Sequence, residues 1–491
     1  MPIAIQRSAR RPIRILLLAF PSLIAATSAS HAALKISTKP TSNVTCSGGV
    51  CTATASHAVL NANDLASMLS TGNVTVASGS QAWDINVDTL VSWTSANRLT
   101  LDSHRSITFN KPVVVAGTGA LTITTNDGGS GGDFRFFKTG HIKFWDMTSN
   151  LVINGNRYAL AKSILQIRKL VDKGSGAQYI ALAKKINATR YSGGPLPFEP
   201  TILEGLGNTI SNLMISSGTD GSDVGLFVQM NGTVRDIGFV NANIIGFGDD
   251  QAVGTIAGRV NGAILYCSVT GKVSAAGALS GAGGLAGVNN GSIAGSYSDA
   301  SVSVASGGTV AGGLVAGSEA GNQGQWKGSI KESYSTGAVT GGDGVKTGGL
   351  VGYNLGGSIS NSYSTGSVMG GNNSLVGGLS GGNAISDSSS PTIASSYSTG
   401  AVIGGSGAIV GGFIGEDLAQ TGTTNSYWDL DTSGISDSSQ GAGNVANDPG
   451  ITGLTTEQFK SGLPVGFGAS IWKEKVPINT GYPYLIDNPP S

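Results

Sequence analysis

Charge is scarce in this chain. Asp, Glu, Lys and Arg make up 12% of the 491 residues, and the basic ones nowhere cluster. Nucleic-acid backbones are held by clustered Lys and Arg, so nucleic acid is excluded as a partner. Histidine is scarcer still. Beyond His31 only His57, His104 and His141 occur, and no His-Glu-x-x-His zinc motif is present. Three cysteines occur, and Cys46 and Cys51 enclose Ser-Gly-Gly-Val. That spacing suits a small disulfide loop in an oxidising compartment, with two free thiols as the alternative. No second cysteine pair or close histidine supplies metal-ligand spacing, so neither metal nor cofactor is expected. Cys267 is left over and reads as a small buried apolar residue. Past residue 32 no apolar run reaches the ~18 residues of a membrane-spanning helix. Glycine is abundant and aromatics are modest, a composition that admits disorder; the ordered periodicity described below argues against it.

The first 32 residues read as a secretory signal. Arg7, Arg10, Arg11 and Arg14 form a basic start, Ile15 to Ala26 a short apolar core, and Ser30-His31-Ala32 a small-x-small cleavage site. Arg10-Arg11 invites a twin-arginine reading, but Pro12 and Ile13 fit it poorly, so the general secretory route is expected. Removing those four arginines from 29 basic and 29 acidic side chains leaves a formal charge of −4. Tandem ten-residue alternating strands of an outer-membrane barrel are missing, so the chain is not expected to export itself. A separate outer-membrane transporter is the expected partner, with a periplasmic location as the alternative.

What is present in abundance is a repeat, between about Val253 and Asp431. Three apolar marks recur. The first follows Gly-Gly or its equivalent: Ile256, Leu285, Leu314, Leu350, Leu379 and Phe413. The second is Ile264, Ile293, Ile330, Ile359 and Ile393; the third is Val273, Val302, Val339, Val368 and Val402. Second and third marks are always 9 residues apart, and 11 or 12 lead on to the next first mark. All large insertions fall between the first and second marks. Equal positions repeating at a fixed spacing are the signature of stacked solenoid coils. Gly-Ser-Ile-Ser-Asn-Ser-Tyr alternates like a short strand, and Gly, Ser, Thr and Val disfavour helix. The expected fold is all-β: a right-handed parallel β-helix of about 29 residues per coil, with a short helical insertion.

Insertions confined to one corner should project together. Ala316 to Lys327 and Ser380 to Thr392 are those insertions, and loops on a rigid scaffold commonly carry function. Trp326 is the candidate contact residue; the competing reading is a neutral loop with Trp326 folded onto the rod. Tyr297, Tyr334, Tyr363, Tyr397 and Tyr427 form a further ladder. Stacked tyrosines can bind sugar rings, but packing between coils is the commoner use. In the first copy Ser268 takes the tyrosine position and Cys267 precedes it, where later copies have Ser.

Units such as Gly348-Gly349-Leu350-Val351-Gly352 followed by Gly357-Ser358-Ile359-Ser360-Asn361-Ser362-Tyr363-Ser364-Thr365-Gly366-Ser367-Val368 closely resemble the GLUG motif. That family occurs in large bacterial surface and secreted proteins, including filamentous-haemagglutinin-like adhesins and some immunoglobulin A peptidases. The resemblance covers roughly 201–485, from Leu203-Glu204-Gly205-Leu206-Gly207-Asn208 to Gly481-Tyr482-Pro483-Tyr484-Leu485. It implies a surface or secreted β-solenoid and carries no catalytic residue.

Elsewhere, 33–155 reads as strand after strand. Between 156 and 200 the period changes. Leu160, Ile164, Ile167 and Val171 mark one helix, and Tyr179, Leu182 and Ile186 suggest a second, together plugging a joint between two solenoid segments. Ser192 to Pro200 reads as a linker, 201–431 as the repeat solenoid and 432–491 as a C-terminal cap. Gly128 to Asp133 matches the start of a calcium nonapeptide but lacks a tandem copy. Ser130 and Ser380 fit G-x-S-x-G but lack the expected partners and read as scaffold turns. Asp249-Asp250 and Glu416-Asp417 read as solvated turn residues, since strand neighbours point to opposite faces. Asp429-Leu430-Asp431 reads as a turn.

These features predict a non-catalytic secreted or cell-surface adhesin binding a glycan, matrix or cell-surface protein. The alternative is a β-helical polysaccharide hydrolase or lyase, which needs paired carboxylates on one face. An ice-binding solenoid ranks last, because no regular Thr-x-Thr rows occur.

Overall fold

The computed structural model describes residues 32–172, 178–196, 199–321, 325–386 and 389–490. The signal-peptide reading therefore lies outside the described residues, apart from Ala32. Among the described residues no helix is long and apolar enough to cross a membrane.

The predicted marks become rows of facing residues. Ile264 pairs with Ile293, then Ile330, Ile359 and Ile393, strand upon parallel strand. Val273, Val302, Val339, Val368 and Val402 stack the same way. The first marks are all fully buried. Each coil thus buries its apolar side only against its neighbours, as a solenoid must. The fold is all-β and built from parallel sheets. One sheet of sixteen strands runs from Val44–Ser47 to Thr423–Thr424.

Two internal rows explain the motif's small residues. The serine before each tyrosine closes a corner: its hydroxyl donates to the carbonyl two residues back, and it accepts from the backbone N–H one coil earlier. Ser333 does both, with Lys331 at 2.8 Å and Ser296 at 3.2 Å. Cys267 fits the same place. Its N–H donates to Ser296 at 3.0 Å, and its thiol points to the Leu265 carbonyl at 3.4 Å. In the later coils the serine after the tyrosine crosses the interior to a glycine: Ser364 donates to the Gly378 carbonyl, and Ser398 to the Gly412 carbonyl at 2.9 Å. A side chain at Gly378 would meet Ser398, 2.6 Å from its Oγ.

The joint between the segments differs from the expectation. Helix Ile164–Val171 forms, capped by Ser163, whose hydroxyl accepts from the Gln166 N–H. The second expected helix is a strand, Tyr179–Leu182. Its residues are apolar without interruption because both of its faces are buried, which the spacing of Tyr179, Leu182 and Ile186 disguised. Ile180 and Leu182 face the core of the repeat rod, and Ala181 and Ala183 face the core of the N-terminal segment. No helical plug separates the two, because the long sheet passes straight through. Strand Asn156–Ala161 folds back antiparallel on Leu151–Ile153, and Tyr179–Leu182 and Ile202–Glu204 follow parallel to it. Chain direction and inward face reverse together, so the two segments lie on opposite faces of one sheet. Reversing both leaves the sense of winding unchanged.

Other departures are smaller. The described part of the expected linker is tied down: Leu196 is buried and bridges to Phe227, and Arg168 donates to the Gly193 and Pro195 carbonyls. A helix, Ala62–Thr71, interrupts the N-terminal strands, capped by Asn61 and burying Leu65 and Leu69. The expected C-terminal cap divides. Residues 432–454 close the last coil, with Ile451–Leu454 pairing Ser426–Asp429. Residues 455–490 form a strap along the outside of the rod. Its far end reaches back to Ser296 and Glu332 through Asn488, and to Arg135 through the Asp487 carbonyl.

Candidate functional site

The tyrosine ladder is not a sugar platform. Tyr297, Tyr334, Tyr363 and Tyr397 stack with ring centroids 4.7–4.9 Å apart and nearly parallel planes. The strap covers them with Phe459, Phe467, Trp472 and Tyr482. Burial pushes the hydroxyls of Tyr334, Tyr363 and Tyr397 up from their ordinary value. Packing is the use the structure makes of this ladder, though against a strap as well as between coils.

The insertions do share a corner. Strand Val315–Gly321 turns back antiparallel into Trp326–Lys327. Ser386, in the second insertion, donates to the Ala320 carbonyl of the first. Ser389 donates to the Gly356 carbonyl of the coil between them, at 2.9 Å. Trp326 is 37% exposed, and Ile385 and Leu418, from successive turns of this corner, are 55% and 56% exposed. Large exposed apolar side chains that form a contiguous patch mark interaction surfaces.

The sheet leading into this corner adds polar groups. Its outer row is Gln229, Arg259, Val288, Gly317, Tyr353, Gly382 and Glu416. The Tyr353 ring lies over Gly382, where an added Cβ would fall 2.8 Å from it. Lys346 stands 5.1 Å from the centre of the same ring. Burial, and then the nearby Glu416 charge, raise the Tyr353 hydroxyl. Glu319 is raised by burial, with Arg259 opposing, and Arg259 also pairs with Asp223 at 3.3 Å. Aromatic faces beside carboxylates and cations are the surface chemistry of saccharide and polar-peptide recognition. Tyr353 and Lys346 were not singled out from sequence. The available signal was a tyrosine whose neighbours in the row, one coil to either side, are the glycines Gly317 and Gly382.

The acidic pairs sort differently from one another. Asp249 and Asp250 are exposed turn residues, as expected. Glu416 faces outward, but Asp417 is fully buried, so the solvated-turn reading fails for it. Asp429 is buried too and anchors the strap, accepting from the hydroxyls of Tyr482 at 2.6 Å and Thr456 at 2.8 Å. Ser380 is a buried strand residue that donates to the Gly382 carbonyl. Cys46 and Cys51 are disulfide-bonded across a tight hairpin. A further cluster lies where the two segments meet. Arg235 contacts Asp133 at 2.9 Å, Asp236 at 2.7 Å and Glu204 at 3.3 Å. Burial first, and then mutual repulsion, raise the Glu204 carboxyl. Buried at Glu204 and Asp236, part-exposed at Asp133 and centred on one guanidinium, this cluster clamps the segments together. Among the described residues no three His, Cys, Asp or Glu side chains converge as a metal set.

The fold is thus that of a parallel β-solenoid. Comparison with known proteins adds the repeat's identity: the GLUG motif matches residues 344–369, which span one turn of the rod. The chain carries a GLUG repeat. No curated protein matches it. A crystal structure of a candidate immunoglobulin A1 protease from Bacteroides ovatus is similar at 21% identity and a TM-score of 0.45, covering 67% of this chain and 93% of that one. Likeness of that degree carries no argument about activity.

Proposed function

We propose that the protein is a non-catalytic, secreted or cell-surface solenoid of the filamentous-haemagglutinin-like adhesin kind, binding glycan, matrix or another cell. The observation that supports this most is the corner where two insertions lock together and expose Trp326 and Ile385, with Leu418 exposed on the following coil. The leader-like start and the Cys46–Cys51 disulfide fit export to an oxidising compartment. The strands leading into the corner belong to the rod's continuous sheet, which limits the entropy lost on binding.

The test is a triple variant, Trp326→Ala with Ile385→Ser and Leu418→Ser, against the unaltered chain on immobilised glycans and matrix proteins. Exposed substitutions of this kind change stability by only about 0.5 kcal/mol each. Binding is expected to fall at least ~10-fold, as loss of an aromatic anchor implies. Undiminished binding would remove the corner from the proposal. Release of oligosaccharide products by the unaltered chain would overturn the non-catalytic reading.

A further inference from the structure

We propose that Asp417 and Asp448 bind a hard divalent cation, calcium by its chemistry, at the C-terminal end of the rod. An internal row runs Asn289, Ser318, Asn354, Asn383 and Asp417, each facing the next one coil on. The row is neutral until its last member. Asn354 donates its amide to Asn383 at 2.9 Å, and Asn383 donates to Asp417 Oδ1 at 3.2 Å. The backbone N–H groups of Ala419 and Gln420 also donate to that oxygen, at 2.9 and 3.0 Å. Asp417 Oδ1 is therefore saturated.

The other oxygens are not. Asp417 Oδ2 is buried without a hydrogen-bond partner. Asp448 is 3% exposed, and both of its carboxylate oxygens lack a partner. The two side chains face each other within reach of a shared hydrogen bond. Burial, followed by the Asp417 charge, pushes Asp448 up to about 6. Among the described residues neither carboxylate has an ion-pair partner. Buried carboxylates without cation or donor are costly, so the fold must neutralise them by some means.

The surroundings suit a cation. In the preceding coils the second mark is isoleucine; here Thr423 takes its place opposite Ile393, and its Oγ1 is likewise buried and unpartnered. Thus two inward positions change together in the last coil, Asn to Asp and Ile to Thr, and both gain oxygen. Asn444 holds the closing segment against this coil, accepting from the Asp417 N–H at 2.8 Å and donating to the Asp417 carbonyl at 3.0 Å. Oxygen-only donors of irregular arrangement match calcium; magnesium demands a near-ideal octahedron and keeps its waters. The competing occupant is a single proton shared between the carboxylates.

Calcium titrated into the chelator-stripped full chain near neutral pH distinguishes the two. Isothermal titration calorimetry should show one ion per chain, and thermal unfolding should shift upward with calcium. Asp448→Asn should weaken binding about 100-fold, since ligand charge sets calcium affinity. It should also abolish the shift. Should that variant fail to fold, Thr423→Val and the unaltered chain's titration still decide the matter. No heat and no calcium-dependent shift at millimolar calcium would overturn the proposal and leave the shared proton. An Asp448→Asn chain that responds to calcium as the unaltered one does would overturn it too.

Discussion

Trp472→Ala is expected to destabilise the strap by about 3–5 kcal/mol, the usual range for removing a buried aromatic. Trp472 is 1% exposed. Its ring stacks on Phe467 at 4.6 Å and packs tilted against Tyr397 and Tyr363 at 5.8 and 6.0 Å. Its indole N–H donates to Asn361 Oδ1 at 3.1 Å. Truncation removes the side chain that seats the strap on the middle of the ladder and leaves that carboxamide without its donor. Solenoid contacts are nearest-neighbour, so the damage stays local. Limited proteolysis should release peptides from 455–490 while the rod's strands remain protected. The freed tyrosine row should bind a hydrophobic dye and promote aggregation. Unchanged protease resistance of the strap would contradict this account of it.

Gly348→Ala should cost about 3 kcal/mol or more, at the upper end of overpacking penalties. A Cβ there would lie 2.0 Å from the Val351 carbonyl oxygen and 2.5 Å from the Gly381 nitrogen. Both obstacles are backbone, so no rotamer change relieves them. Gly352 is confined similarly, 2.3 Å from Val310 Cγ1 and 2.8 Å from the Ala311 carbonyl oxygen. The motif's glycines therefore let two sheets meet backbone to backbone on one side of the coil. Gly344, a few residues earlier, is a different case. It has φ +73° and open space around it, so alanine should cost only about 1–2 kcal/mol, from the left-handed backbone alone. Denaturant midpoints for the two variants should differ clearly. Equal midpoints would contradict the close-packed reading of Gly348.

The repeat was legible because a solenoid writes each contact into the sequence as an equal position one coil on. Ile264 meets Ile293, and Tyr334 meets Tyr363, in the register their spacing predicts. Contacts between distant stretches leave no such trace. Nothing local in Trp472 indicates that it covers Tyr363, and nothing in Asp429 announces its bond to Tyr482. The strand Tyr179–Leu182 was misread because a strand between two cores loses its alternation. Asp417 was misread for a related reason: adjacency to Glu416 identified opposite faces, but not that its face was the inner one. At the corner, insertion lengths pointed to Trp326 and its neighbours, while Tyr353 and Lys346 come from the regular coil and carried no length signal.

The central claim is that this rod works outside the cell. Protease shaving of intact cells, with mass spectrometry for peptides from 201–431 and a periplasmic protein as control, tests it most directly. The account predicts release of these peptides while the control stays intact. Protection of the rod in cells, with cleavage appearing only once the outer membrane is opened, would contradict an adhesive role and place the protein in the periplasm.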